Sequence, residues 1–147
     1  MGRQRPGSVT SAIRAQLALV GVAGLATLLT IVERDELVRT WTVRHPTGID
    51  PPDFVPVAVV LFITFGLLAA VLMVFFRAGH GSARAALTVL AGFSLLAMVA
   101  VLRLDPPVLF IVLAVLSALL DLVLLFFLWR KDTSEFLRGA ALAARTR

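Results

Sequence analysis

Residues 108–129 read VLFIVLAVLSALLDLVLLFFLW, with Asp121 as their one charged side chain. An α-helix needs about 20 mostly apolar residues, at about 1.5 Å each, to cross the hydrocarbon core of a bilayer. This run meets that requirement. Its apolar residues are continuous rather than alternating, and an open sheet cannot satisfy its edges in lipid, so a strand is excluded. Three other segments read the same way: AQLALVGVAGLATLLTIV at 15–32, VPVAVVLFITFGLLAAVLMVFF at 55–76 and AALTVLAGFSLLAMVAVL at 85–102. The fold expected is all-α: a membrane-embedded, antiparallel four-helix bundle, with the whole chain 1–147 as one domain.

Composition agrees. The chain is 59% hydrophobic and 16% charged, and its mean hydropathy is +0.95. Soluble domains have about 45–50% apolar and about 25% charged residues. A net charge of +5 would suggest nucleic acid in a soluble protein. Here the arginines stand at the ends of apolar runs and aromatic stacking motifs are missing, so no nucleic-acid partner is expected. There is no cysteine, which excludes disulfides, Cys-ligated metals and thiol nucleophiles. Thirteen of the fourteen basic residues are Arg, beside heavy use of Ala, Val and Leu, a pattern typical of a GC-rich genome.

The distribution of Lys and Arg gives a direction. Arg3, Arg5, Arg14, Arg77, Arg84, Arg130, Lys131, Arg138, Arg145 and Arg147 fall on one side, against Arg34, Arg39, Arg44 and Arg103 on the other. Ten against four predicts a multi-pass protein with both termini cytoplasmic. A bacterial inner (cytoplasmic) membrane is the expected location. The first span follows a basic leader, as a signal peptide would. The charged VERDE then stands where a small-residue cleavage site belongs, so the span is expected to stay as an anchor.

The links carry their own signals. RAGHGSAR is eight residues, with Gly79 and Gly81 for a reversal and Ser82 as a candidate cap of the third span. RLDPP is shorter, with Asp105 as candidate N-cap of the fourth. Such short links make spans two, three and four antiparallel neighbours. In the long loop 33–54, Leu37, Val38 and Trp41 share a helical face, with Glu36, Arg39 and Thr40 opposite. A short amphipathic helix is expected there, lying at the outer interface or extending the first span. Trp41 and Trp129 would then mark the two membrane interfaces. DPP occurs at 50–52 and again at 105–107; the preceding helices do not align at one offset, so helix-start chemistry explains the coincidence better than duplication.

The tail 130–147 reads as a basic amphipathic helix, with Asp132 as N-cap, Glu135 at its third position, and Phe136, Leu137, Ala140 and Ala144 on one face. Arg130, Lys131, Arg138, Arg145 and Arg147 are expected to contact anionic lipids of the inner leaflet, each worth about 1 kcal/mol near that surface.

Asp121 is the residue that asks for an explanation. A charge at the bilayer centre costs about 2.5–3.5 kcal/mol on insertion scales. Ala114, Ser117, Ala118 and Asp121 form a stripe at i, i+3, i+4 and i+7, and small residues mark the faces where membrane helices pack. Asp121 should therefore point into the bundle. Gln16, Ala23, Ala26, Thr27 and Thr30 on the first span, and Thr88, Ala91 and Gly92 on the third, offer matching faces. Gln16 and Thr88 stand at about the right level. The polar site expected is thus Asp121, Ser117, Gln16 and Thr88, with the carboxyl protonated and donating a hydrogen bond between helices. Two roles compete: an interhelical clamp, or the coupling acid of a homo-oligomeric proton- or cation-coupled transporter of small solutes. A broken helix or a second intramembrane ionisable group would favour transport, and neither occurs. Small multidrug transporters carry their membrane acid in the first helix, which here has none.

Other chemistry is sparse. His45 and His80 fall on opposite sides of the membrane, and Ser82, Ser94 and Ser117 have no base at helical spacing. No catalytic residue, metal or cofactor is expected.

The stretch R-x-G-x-G-x-A-R-x-x-L-T-V-L-A-G at 77–92, the ending LLFFLWRKDTSEFLR and VERDELVR after the first span together resemble a widespread group of small actinobacterial four-helix integral membrane proteins to which no activity is assigned. The resemblance covers most of the chain. It implies the four-helix fold and carries over no activity. Members have Trp before the Ala-Arg pair, where this chain has Ser82. The role expected is non-enzymatic and accessory or structural: contact with a larger membrane complex, or self-association, through the small-residue faces.

Overall fold

The computed structural model describes residues 7–44, 48, 50–103, 105–135 and 138. It has five helices with defined bounds: α1 (Gly7–Val32), α2 (Arg34–Arg44), α3 (Phe54–Arg77), α4 (Gly81–Leu102) and α5 (Val108–Leu128). Residues 131–135 are also helical. α1, α3, α4 and α5 are each long and apolar enough to cross a membrane. They are the four spans expected from the apolar runs.

The spanning helices close into a ring. α1 packs on α3 and α5, and α4 packs on the same two, while among the described residues the backbones of the diagonal pairs stay apart. This arrangement follows from the short links, which leave consecutive helices little choice but to lie side by side. The start of α1 and residues 131–135 lie at the same end of the bundle, where the Ser8 and Thr133 hydroxyls are hydrogen-bonded at 3.0 Å. We call this the terminal end, and the opposite one the α2 end.

The core lies at the terminal end. Val9, Ala12, Ala15, Leu19, Phe76, Ala83, Leu87, Ala91, Leu124 and Leu128 form one buried cluster. On α4 and α5 the buried positions recur mainly at steps of three and four. On α5 the seam runs Ala114, Ser117, Asp121, Leu124 and Leu128, with Leu113 buried beside it; on α4 it runs Ala83, Leu87, Ala91 and Ser94, with Leu90 buried beside it. This is the seam of coiled-coil packing. In lipid no hydrophobic force draws such seams together, so close van der Waals contact between small side chains must do so. The first helix starts at Gly7 rather than at residue 15, because Ser8, Val9 and Ala12 belong to this seam even though the segment reads as polar.

Several local expectations are corrected. The helix after the 78–80 link starts at Gly81 with His80 as its N-cap residue, so Ser82 is not the cap. The turn itself uses Gly79 at φ 89°, and His80 packs edge-on against Phe75 at 5.5 Å, which accounts for both residues without a ligand. Asp105 is not the N-cap of α5; Pro107 is. Asp105 instead adopts φ 46°, a left-handed conformation that Asp tolerates better than most residues, and pairs with Arg44 at 3.0 Å. Asp132 is not an N-cap either: the helical residues begin at 131, and Asp132 pairs with Arg130 at 3.6 Å.

The helix expected in the 33–54 loop is α2. It extends α1 after a one-residue interruption at Glu33, whose amide still bonds to Leu29 and whose carbonyl still accepts from Leu37. Thr40 lies with Leu37 and Trp41 along a cavity wall, not on the opposite face with Arg39.

Candidate functional site

Asp121 is sealed within the bundle, with 1% of its surface exposed. Its position on the α5 seam follows from the small residues that precede it: Ala114 and Ser117 are buried with it, and Ala118 is half-buried. The polar side chain facing the carboxyl is Ser94 of α4. One carboxyl oxygen, Oδ2, is buried without a hydrogen-bond partner.

The other expected members of the site divide. Ser117 is buried one turn before Asp121 on the same seam. Gln16 is buried too, but at another level: it borders a small void with Leu124 and Leu128, which lie one and two turns beyond Asp121. Thr88 does not join the site. Its hydroxyl donates to the Arg84 carbonyl at 2.9 Å and accepts from the Trp129 indole N–H at 3.1 Å. The threonines of the matching α1 face are also occupied locally, Thr27 on the Ala23 carbonyl and Thr30 on the Ala26 carbonyl, both at 2.9 Å. A threonine in a helix readily bonds back to its own preceding turn, which removes it as a cross-helix partner.

The small-residue stripe of α5 is used inside the chain. With Ala114, Ser117 and Asp121 buried in this bundle, that face is not open to a second protein. Association through the stripe, expected from the sequence, is corrected on this point.

A second polar cluster closes the terminal end, and sequence reasoning missed it. Thr133 is 0% exposed. Its Oγ1 lies 2.9 Å from the Phe127 carbonyl and 3.0 Å from Ser8 Oγ. A hydroxyl has one proton, so Thr133 donates to the carbonyl and accepts from Ser8. Arg84 reaches across to donate to Ser134 at 2.8 Å, and its guanidinium stacks 4.0 Å from the Trp129 ring centre. Residues 131–135 are therefore fastened to both α1 and α4. The signal that could have revealed this is weak: a Thr-Ser pair in a polar tail, five residues after an apolar span.

Trp129 is 59% exposed, held between Arg84 and Thr88. Trp41 is half-buried at the α2 end, edge-on to Phe54 with ring centres 6.1 Å apart. Arg130, Lys131 and Arg138 are exposed, and Arg130 lies 5.9 Å from the Phe126 ring centre. Arg145 and Arg147 lie outside the described residues, as do Phe136, Leu137, Ala140 and Ala144 of the expected tail face. Among the described residues no cluster of three His, Asp or Glu side chains could hold a metal ion.

Compared with known protein families, curated proteins and solved structures, the chain gives no match in any of the three.

Proposed function

We propose that this protein is a non-enzymatic subunit of accessory or structural role in a bacterial inner membrane, with both termini cytoplasmic, acting by helix–helix association with itself or with a larger membrane complex. The observation that supports this reading is the enclosure of Asp121. A carboxyl that is 1% exposed and faces a serine is placed to hold α5 against α4. A coupling site must be reached by its ion from both sides in turn, and neither the Gln16 void nor the chamber at the α2 end is lined by Asp121.

With the α5 stripe committed internally, the spanning helix left most open to a partner is α3. Only Ala69 and Phe76 are buried along its 24 residues. Leu67, Val71 and Val74 face outward, where a neighbouring helix could replace lipid. The exposed cations Arg130, Lys131 and Arg138 suit an anionic inner-leaflet surface.

One observation favours the alternative, a homo-oligomeric transporter coupled through Asp121: the unpartnered Oδ2. An Asp121→Asn variant separates the two, because the amide keeps size and polarity but cannot exchange a proton. The structural reading predicts no proton flux in proteoliposomes of the unaltered protein, and a folded variant with unchanged oligomeric state. Flux that disappears in Asp121→Asn would establish transport instead. For association, a photo-crosslinking residue at Leu67 or Val74 should capture a partner in native membranes. The same residue at Leu119, on α5, should capture less. Equal capture at all three would contradict α3 as the interface.

A further inference from the structure

At the α2 end the four spanning helices separate around a chamber of about 530 Å³. All four contribute to it, through Thr30 of α1, Ala58 of α3, Val101 of α4 and Phe110 of α5, and α2 lies over it with Trp41 in the wall. That volume falls within the range of about 300–1,000 Å³ typical of small-molecule sites. The wall is mainly apolar. Among the described residues its charged side chains are Arg44 and Arg103, and no acid lines it. Arg103 follows α4 at the α4–α5 link, and Asp105 of the same link pairs with Arg44 at 3.0 Å. Asp105 is mostly exposed, so its pairing is exchangeable with another anion.

We propose that this chamber is a binding site for a membrane lipid with a phosphate-bearing, net-anionic head: an acyl chain occupies the apolar chamber, and the phosphate lies against Arg103 and Arg44. An apolar cavity with cations at its rim and no acid in its wall complements an anionic amphiphile. A guanidinium is the side chain best shaped to meet phosphate oxygens in pairs. The inference goes beyond the function proposed above and does not depend on it.

Trp41 in the chamber wall is a built-in reporter, once Trp129 at the other end is replaced by Phe. The full-length Trp129→Phe protein is reconstituted in phosphatidylcholine vesicles with a small fraction of phosphatidylglycerol, and acyl-chain bromine is carried on either lipid at equal mole fraction. Brominated phosphatidylglycerol should quench Trp41 severalfold more than brominated phosphatidylcholine. Adding Arg103→Gln and Arg44→Gln should bring that ratio to one. Ala58→Phe, which fills the chamber without touching its charge, should also lower it. Asp105→Asn, which removes the competing carboxylate, should raise it. A ratio of one before any rim or chamber change would overturn the site. So would a preference that survives both Arg103→Gln and Ala58→Phe, since that is diffuse surface attraction. Full displacement by excess inorganic phosphate would overturn the chamber's part, leaving only an anion contact at the rim.

Discussion

The two ends of this bundle are built from similar apolar sequence and pack differently. At the terminal end, α1 buries six side chains between Ser8 and Leu19, α4 buries five between Ala83 and Ser94, and α5 continues its seam to Leu128. At the α2 end, α1 buries none beyond Leu19, α3 none before Ala69, and α4 none after Ser94. Hydrophobicity does not distinguish the halves, because lipid is as apolar as leucine. The difference lies in closure. The terminal end has a three-residue reversal at 78–80 and polar ties from Thr133 and Ser134 to α1 and α4. The α2 end has an eleven-residue helix over an open chamber, fastened by an exposed ion pair. Both halves carry small residues, so the helices pack tightly where short polar ties also hold the backbones together, and separate where those ties are missing.

This contrast gives a graded set of expectations. The largest effect should come from Phe76→Ala, which opens the buried cluster. Such changes cost about 3–5 kcal/mol in soluble cores. In lipid the released surface stays apolar, so about 2–3 kcal/mol of lost packing is expected, measured by reversible unfolding in mixed micelles. Leu61→Ala, at a chamber position 63% exposed, should stay within about 0.5 kcal/mol by the same measurement. Similar losses at both sites would end the distinction between the two ends.

Next in size is Thr133→Val, which removes the hydroxyl shared by Ser8 and the Phe127 carbonyl. A net loss of about 1–2 kcal/mol is expected from the two hydrogen bonds. The readout is hydrogen exchange of residues 131–135, which should quicken while the middle of α5 stays protected. If those amides exchange as before, the tie does not fasten the tail. Ser94→Ala, opposite Asp121, should cost about 0.6 kcal/mol, the average for a polar contact between membrane helices. A loss several times larger would mean that the carboxyl is held by more than this serine. Smallest is Arg44→Gln. It breaks a pair whose side chains are both well exposed, so a loss below about 0.5 kcal/mol is expected, falling further with salt.

The spans were legible because apolar length is counted along one chain and needs no partner. The inward face of Asp121 was legible for the same reason: Ala114, Ser117 and Ala118 lie on its own helix. Its partner was not. The sequence suggested Thr88 by level and polarity, whereas the seam 83, 87, 91, 94 turns Ser94 inward and leaves Thr88 between Arg84 and Trp129. Register between helices depends on how far each one slides along its neighbour, and neither helix encodes that alone. The early start of α1 was hidden because Ser8 and Arg14 make the segment look like a solvated leader. Val9 and Ala12, at helical spacing, carry it into the core. The misread caps at Ser82 and Asp105 share a cause: candidate capping residues stand near both helix starts, and backbone geometry rather than residue type selected His80 and Pro107.

The absence of cysteine from the whole chain makes one measurement decisive. Single cysteines at Ser94, beside the sealed aspartate, and at Ala58, in the chamber, can be challenged with a small membrane-permeant maleimide in intact vesicles and again after unfolding in detergent. The packing described here predicts that Ala58→Cys reacts readily in the folded protein, while Ser94→Cys reacts only once the bundle is opened. Rapid labelling of Ser94→Cys in the folded protein, at a rate like that of Ala58→Cys, would contradict the enclosure of Asp121 and the clamp built on it.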